Sequence, residues 1–114
     1  MTASCHCGRV KLELPSPPTK VNECRCSACY RYGALWAYYP RDDVLVTAEE
    51  PGLRSYARED EGARGTIAFY HCAHCGCMTH WWVQPEHVRP DDPEWGGMGV
   101  NTRMLPESVL EGVE

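Results

Sequence analysis

The sequence predicts a mainly β fold: a single small antiparallel β domain stabilised by zinc. Two observations carry this. Short runs of alternating or aromatic-rich strand character recur along the chain between turn residues, with little helical periodicity. Eight cysteines fall into three clusters, Cys5-His6-Cys7, Cys24-Arg25-Cys26-Ser27-Ala28-Cys29 and Cys72-Ala73-His74-Cys75-Gly76-Cys77, each at a turn between strand-like runs. Thiolates one or two residues apart converge on one metal ion, and such cross-links help hold a chain of 114 residues with 43% hydrophobic content and a single Phe. That length is close to the commonest domain size, so residues 1–114 read as one domain.

The elements follow in order. Arg9 to Leu14 alternates Val10, Leu12 and Leu14 against polar residues, the period of a half-buried strand, and Pro15-Ser-Pro-Pro18 ends it. Lys20 to Cys24 reads as a strand leading into the second cluster. Arg31-Tyr-Gly33 turns into the aromatic-rich strand Ala34 to Tyr39. Short strands are expected at Asp43 to Thr47 and Leu53 to Ala57, then an exposed turn at Glu59 to Gly62. Thr66 to His71 runs into the third cluster, and Met78 to Val83 is its hairpin partner. Pro85 to Gly97, with three prolines and two glycines, reads as a loop. Met98 to Met104 is a last strand, and Pro106 to Glu111 one or two helical turns with Pro106 at the start.

Net charge is −5, and Arg25, Arg31 and Arg41 occur singly, so no basic patch points to nucleic acid. No stretch approaches the roughly 20 apolar residues of a membrane span. The start, Met-Thr-Ala-Ser-Cys-His-Cys, lacks a secretory pattern, so a cytoplasmic location is expected. Clustered cysteines in such a chain read as metal-binding or catalytic, and Cys-x-Cys pairs are too close for relaxed disulfides.

Three clusters in one small chain favour zinc; iron–sulfur is the metal alternative, but no ferredoxin spacing is present. Gly8 and Gly76 stand where a metal knuckle needs positive φ. Two closed sites would use all eight cysteines. Two pairings fit the spacing. Cys26/Cys29 with Cys72/Cys75 makes a zinc ribbon. Cys5/Cys7 with Cys72/Cys75 makes a closed four-thiolate site and leaves Cys24, Cys26 and Cys29 as a triad whose fourth ligand comes from elsewhere. Economy favours the second, because each cluster then acts as a unit. A closed site is structural, and an open position is what a catalytic zinc keeps.

Ser4-Cys-His-Cys-Gly8, Cys24-Arg-Cys-Ser-Ala-Cys29 and His71-Cys-Ala-His-Cys-Gly76, in that order and spacing, resemble the glutathione-dependent formaldehyde-activating enzyme family, the CENP-V/GFA domain. Tyr32-Gly-Ala-Leu-Trp36 and Gly99-Val-Asn-Thr-Arg103 fit as well, so the resemblance spans residues 4–105. It implies an Mss4-like β architecture and two zinc ions per chain. By resemblance, Cys5, Cys7, Cys72 and Cys75 match the structural zinc ligands, and Cys24, Cys26 and Cys29 those of a catalytic zinc. The implied activity is a carbon–sulfur lyase joining glutathione and formaldehyde as S-(hydroxymethyl)glutathione, or reversing it. Cys77 departs from the pattern, and this chain resembles the bare domain without the additional segments of longer members.

The residues allow that chemistry. A thiol at an open zinc position loses its proton, and the thiolate attacks a small aldehyde at carbon. Arg25 and Arg31 are candidates for glutathione carboxylates, against the reading of solvated surface cations. Trp36, Tyr38, Tyr39, Trp81 and Trp82 wall a pocket or form the core. His71 and His80 are candidates for a proton shuttle or fourth ligand, against ordinary strand histidines, while His6 and His74 sit in knuckle turns. Tyr32 is a candidate proton donor. Cys77 reads as a further ligand, a redox thiol or a small buried residue. Asn101 and Arg103 are candidate pocket residues or exposed alternates. The expected partners are a glutathione-like thiol and an aldehyde, with no nucleic acid or membrane and no indication of oligomeric state. Two other functions stand beside the lyase: a non-catalytic zinc module for protein interaction, and thiol-redox or metal handling.

Overall fold

The computed structural model describes residues 1–23, 27–57, 67–83 and 97–110. They form two antiparallel sheets and one short helix. The first sheet has the order β1-β2-β4, with β1 at Thr2–Ser4, β2 at Val10–Glu13 and β4 at Leu45–Ala48. The second has the order β3-β8-β7-β6-β5, with β3 at Trp36–Pro40, β5 at Leu53–Ala57, β6 at Ile67–Cys72, β7 at Met78–Val83 and β8 at Gly97–Asn101. Helix α1 spans Ser27–Tyr32. Among the described residues no helix is long and apolar enough to cross a membrane.

Alternation explains β2. Val10 and Leu12 are fully buried while Lys11 and Glu13 face solvent, and burying one such aliphatic side chain stabilises the fold by about 1.5–3 kcal/mol. The strand pairs with β1 through Ala3↔Leu12, an element the sequence reading missed because three residues carry too little pattern. The expected strand at Lys20 to Cys24 is reduced, over its described part, to a bridge at Asn22↔Trp36, with both backbone bonds made at 2.8 and 2.9 Å. Helix α1 replaces the expected turn at Arg31 to Gly33. It ends because Gly33 takes φ +65°, with its N–H donating to the Cys29 carbonyl at 3.1 Å, the left-handed stop that glycine favours.

The last expected strand, Met98 to Met104, is cut at Asn101. There the Asn101 side chain accepts from the Arg103 N–H at 3.2 Å and starts a 3₁₀ turn, Thr102–Met104. The helical turn expected after Pro106 is a 3₁₀ turn at Glu107–Leu110. The hairpin β6–β7 forms as expected, with one irregularity: Tyr70 faces His80 and His71 faces Met78, so Thr79 is an extra residue. The expected turn at Glu59 to Gly62 and most of the loop expected at Pro85 to Gly97 lie outside the described residues.

The five-stranded sheet has two covered faces. On one, Ala37, Tyr39, Met98 and Val100 join Val10, Leu12 and Leu14 of the smaller sheet in the larger core. On the other, Cys29 and Ala34 pack with Trp36, Phe69 and Met78, with Trp81 against them. Gly99 stands opposite both Tyr38 and Trp81. A Cβ on Gly99 would fall inside the Trp81 ring, so the bare backbone there lets the indole lie across β8.

Candidate metal centre and adjoining cavity

The first and third cysteine clusters meet where the two sheets meet. Cys5-His6-Cys7-Gly8 turns from β1 into β2, and Cys72-Ala73-His74-Cys75-Gly76 turns from β6 toward β7. In each turn the glycine that follows the second cysteine bonds back to the first. The Gly8 N–H donates to the Cys5 carbonyl at 3.1 Å, and the Gly76 N–H to the Cys72 carbonyl at 2.9 Å. Gly8 and Gly76 take φ of +84° and +81°, a backbone that side-chain-bearing residues rarely adopt.

These turns aim amides at sulfur. Val10 N–H donates to Cys5 Sγ at 3.3 Å, and the His74 and Cys75 N–H groups to Cys72 Sγ at 3.4 and 3.5 Å. The sulfurs of Cys5, Cys7, Cys72 and Cys75 all lie within 4.8 Å of one another. Two of the separations, Cys5–Cys7 and Cys7–Cys72, are 3.6 Å. A tetrahedral ion with metal–sulfur bonds of about 2.3 Å needs edges of about 3.8 Å. The four thiols therefore fit a soft tetrahedral metal as they stand.

Burial and mutual hydrogen bonding pull the proton affinities of these thiols in opposite directions. Burial, with the neighbouring thiols, pushes Cys5 up to about 11. Burial also opposes ionisation of Cys75, but hydrogen bonds from the Cys77 and Cys7 backbone and from the Cys72 and Cys77 thiols outweigh it and hold Cys75 at about 5. Cys7 is lowered by the Arg9 backbone N–H against burial, with help from the Arg9 side chain. In return, the hydrogen bond to Cys7 raises Arg9. Thiolates this close repel one another and are poorly solvated, so a cation among them favours their joint ionisation. Arg9 is a partner the sequence reading missed. Its place two residues past Cys7, at the mouth of a knuckle, was the available signal.

Cys77 lies beside this centre and outside it. Its carbonyl accepts from the Cys72 N–H at 3.0 Å, and burial raises its thiol while the His6 backbone N–H opposes the shift. It packs in the larger core, whereas Cys29 belongs to the smaller one across the sheet.

Of the second cluster, Cys24, Arg25 and Cys26 lie outside the described residues. Cys29 is buried on α1, and its side of the helix borders a cavity of about 250 Å³ lined by Glu23, Cys29, Tyr30, Gly33, Leu35 and Arg103. Arg103 Nε donates to the Gly33 carbonyl at 2.7 Å, tying the end of α1 to the turn after β8. The sequence reading named Tyr32; the structure lines the cavity with Tyr30 instead. Tyr32 leans on Phe69 at 5.2 Å between ring centres, and burial raises its hydroxyl. Glu23 was also missed, since nothing local marks a carboxylate beside a cysteine as facing a cavity. Arg31 is exposed on α1.

The histidines separate. By strand alternation His71 shares the face of Ile67 and Phe69, the side on which Cys29 packs. The extra residue Thr79 turns His80 to the other face, so the sheet stands between His80 and Cys29. His80 is fully buried and stacks on Tyr70 at 5.0 Å and against Trp82 at 4.5 Å. Its Nδ1 lies 2.7 Å from Thr79 Oγ1, and Nε2 has no hydrogen-bond partner among the described residues. Of the aromatic candidates, Trp36 and Tyr39 are core and Tyr38 is exposed. Trp81 meets Trp36 and Tyr38 edge-on at 6.4 and 6.1 Å.

The family sequence model described as glutathione-dependent formaldehyde-activating enzyme matches residues 1–90. The fold is similar to the crystal structure of a Rhodobacter sphaeroides protein, with a TM-score of 0.71 and 31% identity over 99% of this chain and 97% of that chain. No curated protein matches the chain.

Proposed function

The chain belongs to the glutathione-dependent formaldehyde-activating enzyme family, and on that basis we propose that it is a zinc-dependent carbon–sulfur lyase, adding a glutathione-like thiol to a small aldehyde or reversing that addition. Cys5, Cys7, Cys72 and Cys75 are the ligands of a closed structural zinc in this reading. Cys24, Cys26 and Cys29 would hold a second zinc, the one that takes part in the chemistry. A zinc held there would lower the pKa of a substrate thiol and so favour the thiolate nucleophile near neutral pH.

The observation that carries the proposal is the separation of the two cysteine sets. The four-thiolate centre is complete without Cys29, and Cys29 borders a cavity on the far side of the sheet. Glu23, Tyr30 and Arg103 are the polar side chains that line this cavity beside Cys29. The substrate sulfur forms a bond to the aldehyde carbon, and the carbonyl π pair moves to oxygen. The proton that left sulfur ends on that oxygen. The Tyr30 hydroxyl is the group to relay it, and Arg103 stabilises developing negative charge.

Metal analysis and formaldehyde NMR test this together. Two zinc ions per chain, with loss of free formaldehyde accelerated by the protein only when glutathione is present, is the expected result. One zinc per chain, or adduct formation at the uncatalysed rate, overturns it.

A further inference from the structure

Each sheet ends in a strand on either side, and three of these four edges are blunted. β1 is only three residues long. The outer side of β3 is bridged by Asn22, and the strand ends on Pro40. β5 carries Arg54. β4 has none of these protections: Leu45-Val46-Thr47-Ala48 holds no charge, no proline and no bulge against β2. The ladder fixes which of its backbone groups face outward. The Glu49 N–H donates to the Arg9 carbonyl at 2.9 Å, so Glu49 is bonded to the neighbouring chain. Val10, opposite Ala48, instead gives its N–H to Cys5 Sγ and accepts from the Cys5 N–H. Alternation then turns the backbone of Leu45 and Thr47 toward β2 and that of Val46 and Ala48 away from it. The N–H and C=O groups of Val46 and Ala48 have no backbone partner among the described residues. Leu45 lies beside them, 65% exposed.

Charge at the two ends of β4 selects its occupant. Asp42 and Asp43 precede the strand and Glu49 and Glu50 follow it, all exposed. Glu49 feels the Arg9 charge, whereas Asp42, Asp43 and Glu50 form no ion pair among the described residues. A second copy of this chain would set these carboxylates against one another, whether the two β4 strands ran parallel or antiparallel. An extended segment with an uncharged, β-branched centre and basic residues at both ends has the opposite pattern. Its backbone bonds to Val46 and Ala48, its centre covers Leu45, and its cations meet the acidic ends. We infer that the free edge of β4 is a docking site for such a basic-ended segment of a partner protein, which joins the smaller sheet as its fourth strand. This goes beyond the lyase reading and does not depend on it, since no residue of β4 lines the cavity beside Cys29.

The test is NMR titration of the isotope-labelled, metal-loaded full chain with the peptide Lys-Lys-Thr-Val-Thr-Val-Lys-Lys. Amide exchange should slow at Val46 and Ala48 above all other positions. Glutamates in place of the lysines should weaken binding by about tenfold or more. Of two peptides N-methylated on alternate residues, only the one whose methyl groups face away from β4 should bind. Ala48→Pro removes one outward N–H at an exposed edge position, where proline is tolerated. It should keep the metal content of the wild type and lose about tenfold in peptide affinity. Asp43→Asn combined with Glu50→Gln should weaken the lysine peptide and leave the glutamate peptide no weaker. No slowing at Val46 and Ala48, equal binding of the two methylated peptides, or equal binding of the lysine and glutamate peptides overturns the inference. Slowing that rises with protein concentration in the absence of peptide would give the edge to a second copy of the chain, and overturns it as well.

Discussion

His80 is buried between the rings of Tyr70 and Trp82, with the Arg41 guanidinium 4.3 Å above the Trp82 ring. Burial, with the Arg41 charge, lowers its pKa from the ordinary 6.5 to about 4. The unfolded chain therefore binds a proton below about 6.5 that the folded chain refuses until about 4. Stability from this site is complete above 6.5 and falls as pH drops toward 4, by about 3 kcal/mol in all. Denaturant melts from pH 7.5 to 4.5 should show this loss in the wild type and a shallower one in His80→Phe; parallel slopes refute the assignment. Gly99 makes a second prediction at the same scale. Gly99→Ala forces the Trp81 indole off β8 and should cost about 1–3 kcal/mol, with a red-shifted Trp emission as the ring loses its cover. An unchanged melt would show that Trp81 has room to move.

At the scale of elements, the two knuckles and the end of α1 do different work. The knuckles join sheets, so their sulfurs matter for folding. Cys72→Ser, at a fully buried position, should remove one metal ion per chain and abolish cooperative unfolding, whereas Cys77→Ser should keep the metal content. Metal lost from both variants would put Cys77 inside the centre. Gly33 governs α1. Its φ of +65° strains any side chain although a Cβ would meet nothing within 4 Å, so Gly33→Ala should cost about 1 kcal/mol through the backbone alone. The loss should appear in substrate affinity as well as in melting temperature, because Arg103 holds the Gly33 carbonyl. A stability change with unaltered affinity would separate the helix end from the cavity.

Across the whole molecule, the metal centre sits in the larger core at the junction of the sheets, with Cys5 and Cys7 from one and Cys72 and Cys75 from the other. Without an ion the site is four crowded thiols, with Cys5 pushed up to about 11 and Cys75 held at about 5. A strong chelator should therefore unfold the smaller sheet from the larger one and lower the melting temperature by tens of degrees. Melting unaffected by complete metal loss would show that aliphatic packing alone suffices.

Much of the strand framework was legible in the sequence. Val10 and Leu12 alternate with charged residues, Leu53–Ala57 stands between turn residues, and Met78–Val83 follows a knuckle as its hairpin partner; in each case the information lies within a few neighbouring residues. Clustered cysteines likewise announce a metal, because chelation depends on spacing of one or two residues. The sequence by itself thus determined the β class, the knuckle turns and the set of candidate ligands. Only the tertiary structure decided that the first and third knuckles meet, that Thr79 turns His80 away from Cys29, and that Glu23 and Arg103 line one cavity. Those outcomes depend on register and on contacts between residues up to about eighty positions apart, and no local pattern records where a sheet places its two faces.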